Sequence, residues 1–139
     1  MEGTSSQKSR ILIVDDAESH RFILRNIIME MGYQPVLAES GAQALKVFSR
    51  CNPELVLLDV SMPEMDGFEV CRRLKGNSDT RNVPVIFISA FENSEDIARA
   101  FEMGGEDYVT KPFIPEVVKA RVSVRLKLAE AMKRLSEMG

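Results

Sequence analysis

Five short apolar runs, each followed by a stretch with helical periodicity, set the pattern of this chain. Two of them, 10–14 (RILIV) and 54–58 (ELVLL), end in acids, and a third spans 83–88 (VPVIFI). Apolar runs of this length bounded by turn residues are typical of strands buried on both faces of a parallel sheet. The runs at 34–38 and 107–110 are weaker, and Pro35 cannot donate to a ladder, so they predict peripheral strands.

A helix is predicted after each strand. Gly32 is placed to end the first helix, while the pairs Ser40–Gln43 and Asp66–Glu69 have the spacing of capping boxes for the second and third. Apolar residues at helical spacing define the faces that should be buried. From the first four helices these are Leu24, Ile27, Ile28, Met31, Ala44, Leu45, Phe48, Phe68, Cys71, Leu74, Ile97, Ala100 and Phe101.

Strict alternation of strand and helix predicts an α/β fold. Five repeats give a doubly wound (βα)5 parallel sheet with helices on both faces. Right-handed crossovers, with the first, third and fourth strands central, favour the flavodoxin-like strand order 2-1-3-4-5. We predict a disordered polar leader at 1–9, one domain at 10–128, and a continuation of the last helix at 129–139.

The last helix is predicted to run from Pro115 to about Met138, which is longer than one sheet face requires. Val118 and Val122 can face the sheet. A second stripe has the 4-3 spacing of a coiled coil, which predicts a parallel dimer or a signalling linker to a further domain; a helix end exposed by truncation is the alternative. That stripe consists of Val117, Val124, Leu128, Ala131, Leu135 and Met138, interrupted only by Arg121.

Composition narrows the class of protein. The chain has 139 residues, 45% of them hydrophobic, with a formal net charge of −3, which suits one globular domain and argues against direct nucleic-acid binding by this segment. Cys51 and Cys71 lack metal-site spacing and are expected to be buried, unpaired thiols. No apolar run approaches ~18 residues, so we expect no membrane span, no signal peptide and a cytoplasmic location.

Reactive side chains collect where the predicted strands end. Asp15 and Asp16 follow the first strand, Asp59 the third, Ser89 the fourth and Lys111 the fifth. In open α/β sheets, ligands bind outside the carboxyl ends of the strands, so these side chains should share one rim. By contrast, His20, the single histidine, is expected to be exposed and without a role.

This group of residues has a chemical logic. Clustered carboxylates resist ionisation unless a cation is present, and with no His or Cys among them the cation should prefer oxygen ligands, as Mg²⁺ does. A lysine and a hydroxyl facing the site suit phosphoryl oxygens. Phosphoryl transfer needs mainly positioning and charge neutralisation, and a carboxylate can serve as the nucleophile. The implied state is an aspartyl phosphate on one of the three acids.

These residues closely resemble the receiver domain of two-component response regulators. The resemblance covers roughly residues 10–128 and shows no departure at a catalytic position, since the family fills position 89 with Thr or Ser. The motifs that carry it are DD at 15–16, DVSMPEMDG at 59–67, SA at 89–90 and YVTKPF at 108–113.

The resemblance implies a role for each acid. Asp59 would be the phosphoacceptor, taking its phosphoryl group from a phosphohistidine on a partner histidine kinase or phosphotransfer protein. Mg²⁺ would be held by Asp16 directly, by Asp15 mainly through water, by Asp59 itself and by the backbone carbonyl of Ser61. Lys111 would pair with the phosphoryl group, and its bond to Pro112 would be cis.

The resemblance also implies a switch. The Ser89 hydroxyl and the Ala90 amide would bind phosphoryl oxygens. As Ser89 moves inward, Tyr108 would turn from exposed to buried and report phosphorylation on the face formed by the fourth helix, fifth strand and fifth helix. Ser61 and Phe91 occupy the positions that tune hydrolysis of the acyl phosphate.

Three kinds of function remain open at this stage. The first is a receiver module that catalyses only its own phosphorylation and dephosphorylation, either alone, in a larger regulator or in a hybrid histidine kinase; we favour the larger regulator. A haloacid-dehalogenase-type phosphatase would need Asp-x-Asp after the first strand, but Ala17 stands where the second Asp would be. A flavodoxin-like binding module would need a phosphate-binding loop after the first strand. The residues at that place are Asp15 and Asp16, which would repel a phosphate.

Overall fold

The computed structural model describes residues 9–90 and 94–138, so all but the last residue of the predicted leader lies outside the described residues. Its strands are β1 (Arg10–Val14), β2 (Gln34–Ala38), β3 (Leu55–Asp59), β4 (Val85–Ser89) and β5 (Asp107–Thr110). Its helices are α1 (Glu18–Glu30), α2 (Gly41–Cys51), α3 (Gly67–Lys75), α4 (Ser94–Glu102) and α5 (Pro115–Met138).

The five strands form one parallel sheet in the order β2-β1-β3-β4-β5, which confirms the predicted flavodoxin-like topology. The register pairs Val14 with Leu58 across β1 and β3, and Asp59 with Ile88 across β3 and β4. The carboxyl ends of the central strands therefore meet at one edge of the sheet.

Two apolar layers explain why the central runs are continuous. Leu55 and Leu57 of β3 face a cluster that contains α1 and α5, whereas Val56 and Leu58 face a cluster that contains α2, α3 and α4. Because both faces of the sheet are covered, alternation between polar and apolar residues disappears from these strands.

Capping follows the predicted spacing only in part. The Ser40 hydroxyl accepts a hydrogen bond from the Gln43 amide at 3.1 Å, and the Asp66 carboxylate accepts one from the Glu69 amide at 2.9 Å. The Glu69 side chain does not return to the cap. It binds the guanidinium groups of Arg72 and Arg73, which lie one turn further along the same helix and offer charge-assisted bonds.

Several residues are less buried than predicted, and Met31, Leu45 and Ile97 are half-buried. Phe101 is 47% exposed, because α4 turns only Ala100 fully into the core and leaves Phe101 edge-on to the ring of Tyr108. Cys51 is half-buried at the last turn of α2, while Cys71 is buried, and both are free thiols.

Helix α5 has two parts. Its first half inserts Val118 and Val122 into the core, as predicted, and residues 131–138 are all exposed. Nowhere in the described ranges does a helix combine the length and the apolar character needed to cross a lipid bilayer.

Candidate functional site

The sheet edge brings together the side chains that the sequence placed at strand ends. Lys111 Nζ lies 3.3 Å from Asp59 Oδ1 and 3.4 Å from Asp15 Oδ2. One carboxylate oxygen from each of Asp15, Asp16 and Asp59 falls within 4.8 Å of the other two. Three acids and one ammonium group thus converge from β1, β3 and β5.

Asp59 is buried at the last position of β3, and its Oδ1 accepts a hydrogen bond from the Ser61 amide at 3.3 Å. Its environment raises the pKa of the carboxyl to about 6, mainly through burial and then through the charge of Asp15, while Lys111 opposes the shift. Asp59 is therefore held where a carboxylate without a cation is destabilised.

Asp15 is fully buried and held by the start of α1. Its Oδ1 accepts a hydrogen bond from the Ala17 amide at 2.9 Å, and its backbone carbonyl accepts one from Arg21 Nη1 at 2.8 Å. Asp16 is exposed at the rim. One acid of the DD pair is therefore part of the floor of the site, and the other faces solvent.

The loop after β3 folds back tightly onto the strand end. The Gly67 amide donates to the Val60 carbonyl at 2.9 Å, and a Cβ at Gly67 would lie only 2.3 Å from the Asp59 carbonyl oxygen. Glu64 adopts a left-handed conformation with φ of 69° in the middle of the loop. Only glycine permits this close approach, which brings the start of α3 against the backbone of Asp59.

A cleft of about 430 Å³ opens above Asp59. Ser89 and Ala90, from the end of β4, share it with Lys111, as the sequence pattern predicted. Ser61 lies exposed on its rim. The residues that line it are Asp59, Val60, Ser61, Phe68, Ser89, Ala90, Asp96 and Lys111.

The donor set fits a hard divalent cation. Asp15 Oδ2 and Asp59 Oδ2 are both buried, and within the described part of the chain neither accepts a hydrogen bond. Buried carboxylate oxygens without donors are costly unless a cation binds them. Asp16 adds an exposed carboxylate within reach, and an all-oxygen set that is open to solvent suits Mg²⁺ with its retained waters.

Tyr108 is half-buried on β5 rather than fully exposed. The ring of Phe101 meets it edge-on at 6.1 Å, and the guanidinium carbon of Arg121 lies 5.5 Å from its centroid. The Lys111–Pro112 peptide bond is cis. Phe91, the other predicted tuning position, lies outside the described residues.

The predicted exposure of His20 was wrong. Only 35% of its side chain is exposed, its Nδ1 lies 3.3 Å from Asp15 Oδ2, and its ring meets that of Phe113 edge-on at 5.6 Å. Arg21 and Asp96 were also missed as neighbours of the site. The position of His20 was the available signal. It lies in the first turn of a helix that follows a strand, and side chains there tilt back toward the strand end.

The chain belongs to the response regulator receiver domain family, whose model matches residues 11–123. This membership confirms the resemblance on which the expectations for the site were based. Receiver domains of response regulators, as a family, interact with histidine kinases.

Similar proteins agree with this membership. The chain is 42% identical to the probable transcriptional regulator ycf27 of Pyropia yezoensis, over 90% of this chain and 50% of that protein. It is 39% identical to the transcriptional regulatory protein YxdJ of Bacillus subtilis, over 87% of this chain and 52% of that protein. The chain spans about half the length of the curated relatives that it matches.

Solved structures share the fold. The receiver domain of a signal transduction histidine kinase from Syntrophus aciditrophicus is 38% identical, with a TM-score of 0.79 over 86% of this chain and 90% of that one. A putative response regulator from Chloroflexus aurantiacus is 30% identical, with a TM-score of 0.84 over 87% of this chain and 99% of that one.

Proposed function

We propose that this receiver domain accepts a phosphoryl group on Asp59, from the phosphohistidine of a partner histidine kinase or phosphotransfer protein, in the presence of Mg²⁺. The observation that carries the proposal is the environment of Asp59. It is a buried carboxylate with one oxygen unpaired among the described residues, 3.3 Å from Lys111 and open to a cleft lined by Ser89 and Ala90.

The residues divide the work of the reaction. Asp15, Asp16, Asp59 and the Ser61 carbonyl would hold Mg²⁺, which when bound neutralises carboxylate and phosphoryl charge. Asp59 Oδ2 is free of competing donors in the described structure and serves as the nucleophile. The new oxygen–phosphorus bond forms as the phosphorus–nitrogen bond to the donor imidazole breaks. Lys111 pairs with the transferring group.

Phosphorylation then acts as a switch. The Ser89 hydroxyl and the Ala90 amide bind phosphoryl oxygens, and the movement of Ser89 allows Tyr108 to turn inward. The changed surface belongs to α4, β5 and α5. Ser61 and Phe91 tune hydrolysis of the acyl phosphate. The domain turns over no external substrate, so we propose a signalling module that works beside its kinase in the cytoplasm.

A place within a larger regulator fits the comparisons. Relatives called transcriptional regulators are about twice as long as this chain, so we propose an output domain that follows this receiver and carries any nucleic-acid binding. The similarity to a receiver domain of a histidine kinase favours, as the second candidate, the receiver of a hybrid kinase. The exposed stripe on α5 would pair with a second copy or lead into the output domain.

Acetyl phosphate provides the direct test. With Mg²⁺, intact mass spectrometry should show the gain of one phosphoryl group in the wild type and no gain in Asp59→Asn. Asp79→Asn makes the same chemical change at an exposed position outside the cleft and should be phosphorylated normally. A mass gain that persists in Asp59→Asn would overturn the assignment.

A further inference from the structure

His20 belongs to neither the metal ligands nor the phosphoryl-binding residues proposed above, yet it touches both sides of the site. Its Nδ1 is buried 3.3 Å from Asp15 Oδ2. Its ring packs edge-on against Phe113, two residues after Lys111. His20 therefore joins the start of α1 to the loop that carries the lysine.

The two oxygens of Asp15 are held unequally. Oδ1 has a hydrogen bond from the Ala17 amide, whereas Oδ2 has, among the described residues, the ammonium group of Lys111 at 3.4 Å and the imidazole of His20 at 3.3 Å. Neither approach has the geometry of a hydrogen bond in this structure. Both distances are short enough that a small rotation completes one, and hydrogen bonds in empty sites commonly tighten on loading.

Lys111 cannot serve Asp15 throughout the reaction. Its Nζ lies between Asp15 Oδ2 and Asp59 Oδ1, and it must turn toward the phosphoryl group once one arrives. A fully buried Oδ2 would then lose its nearest cation. His20 is the other donor within reach, and both the Nδ1-protonated neutral ring and the imidazolium ion carry a hydrogen at that atom.

We propose that His20 is a positioning residue for the metal site: its Nδ1–H donates to Asp15 Oδ2, fixes the orientation of that carboxylate and releases Lys111 for the phosphoryl group. The inference rests on the proposed function, because Mg²⁺ at Asp15 is itself part of that proposal. Partners that orient a metal-binding carboxylate typically change metal affinity by about tenfold or more when they are removed.

Two substitutions separate the hydrogen bond from packing. His20→Phe keeps an aromatic ring against Phe113 but removes the donor. His20→Asn places an amide nitrogen on Cγ, where the imidazole has Nδ1, and so restores the donor without the ring. Calorimetric titration of the whole chain with Mg²⁺ alone gives the affinity, and thermal unfolding in a chelator reports the metal-free fold.

We expect His20→Phe to bind Mg²⁺ about tenfold more weakly than the wild type, with a nearly unchanged unfolding temperature, and His20→Asn to stay within about threefold of the wild type. Wild-type affinity in His20→Phe would overturn the inference, as would equal losses in both variants. If the wild type itself binds no Mg²⁺, the proposed function fails as well. Phosphorylation of wild-type Asp59 with unchanged Mg²⁺ binding in His20→Phe would remove only the role of His20.

Discussion

At the level of single residues, the buried carboxylates that form the candidate site lower the stability of the metal-free domain. Asp59 is 1% exposed and Asp15 is fully buried, and the sheet holds them close together with one lysine between them. Neither carboxylate has enough donors among the described residues to offset its loss of water. The metal-free domain should therefore have a lower free energy of unfolding than a domain in which these carboxylates are neutralised, and the difference should depend on pH.

The stability of the metal-free chain should fall as pH rises from about 4 to about 6. The pKa of Asp59 is about 6 in the folded state against 3.8 for an unperturbed Asp carboxyl, so in this window the folded state retains a proton that the unfolded state has released. The loss should be on the order of 2 to 3 kcal/mol, since one pKa unit corresponds to about 1.4 kcal/mol. Urea unfolding in a chelator, repeated across this range, measures it.

The control for this prediction is Asp59→Asn, which cannot ionise. Its stability should lack this decline, and at pH 7 without metal it should exceed that of the wild type. Adding Mg²⁺ should raise the stability of the wild type at pH 7 more than that of the variant. A variant that declines as steeply as the wild type would show that another group causes the effect.

Sequence reasoning found the acids, the lysine and the hydroxyl because each directly follows an apolar run, and strand ends are fixed by the alternation. It missed His20 because its contact with Asp15 depends on the backward tilt of side chains in the first turn of α1, which the apolar pattern of that helix does not show. Phe101 was misjudged for a related reason. It has helical spacing with Ile97, but α4 is rolled so that Ala100 alone is fully inside.

Among the elements, the β3–α3 loop is held in a tightly constrained conformation. A Cβ at Gly67 would lie 2.3 Å from the Asp59 carbonyl oxygen, which is backbone that cannot move without shifting the acceptor. Gly67→Ala should destabilise the domain by about 1 to 3 kcal/mol and slow phosphorylation, because the strand end must shift. Urea unfolding and the acetyl phosphate assay measure the two effects.

Gly76 supplies the matched control for that substitution. It ends α3 with an ordinary φ of −81°, and a Cβ there would lie 3.2 Å from the Arg72 carbonyl at the surface. Gly76→Ala should change the unfolding free energy by less than about 1 kcal/mol and leave phosphorylation unchanged. If Gly67→Ala behaved in the same way, the loop would not be the constraint described here.

The second half of α5 should self-associate. Leu135 is 68% exposed on the 4-3 stripe, so Leu135→Asp should shift sedimentation toward the monomer, whereas Ser136→Asp, one position away, should not. A wild type that stays monomeric at high concentration, with and without a phosphoryl analogue, would contradict the dimer.

In the whole molecule, the edge of the sheet at the carboxyl ends of the strands carries the candidate site, whereas the edge at their amino ends carries a structural hydrogen-bond network. At the amino edge, Lys75 Nζ donates to the Arg81 carbonyl at 3.1 Å, to the Val83 carbonyl at 2.9 Å and to Glu106 at 3.0 Å. Glu106 also accepts the Val85 amide at 2.7 Å. This network joins α3 to the starts of β4 and β5, away from the cleft.

Lys75→Met should therefore lower the free energy of unfolding by about 2 kcal/mol, because it removes the ammonium donor from two carbonyls and leaves the half-buried Glu106 carboxylate with only the Val85 amide among the contacts given above. Phosphorylation of Asp59 should be unaffected under conditions where the variant remains folded. Lys46→Met, at an exposed position on α2, is the control and should change neither quantity. Loss of phosphorylation in folded Lys75→Met would show that the two edges are coupled.

The fold as a whole was predictable because every level of the sequence agrees. Continuous runs in β1, β3 and β4 require cover on both faces, and five alternations leave few topologies that satisfy right-handed crossovers. What the pattern could not supply was partial burial. Cys51 and Tyr108 are half-buried, and the amount of burial depends on how the helices pack on the sheet.

The length of α5 has a mechanical consequence. Its core anchors, Val118 and Val122, lie within the first third of a 24-residue helix. The remainder extends about 24 Å at 1.5 Å per residue, so a tilt of about 5° at the anchors displaces the far end by about 2 Å. The long helix amplifies movement. A rearrangement beside Tyr108 that is too small to expose new surface would still displace the far end of α5, and a partner bound to that end would detect the change.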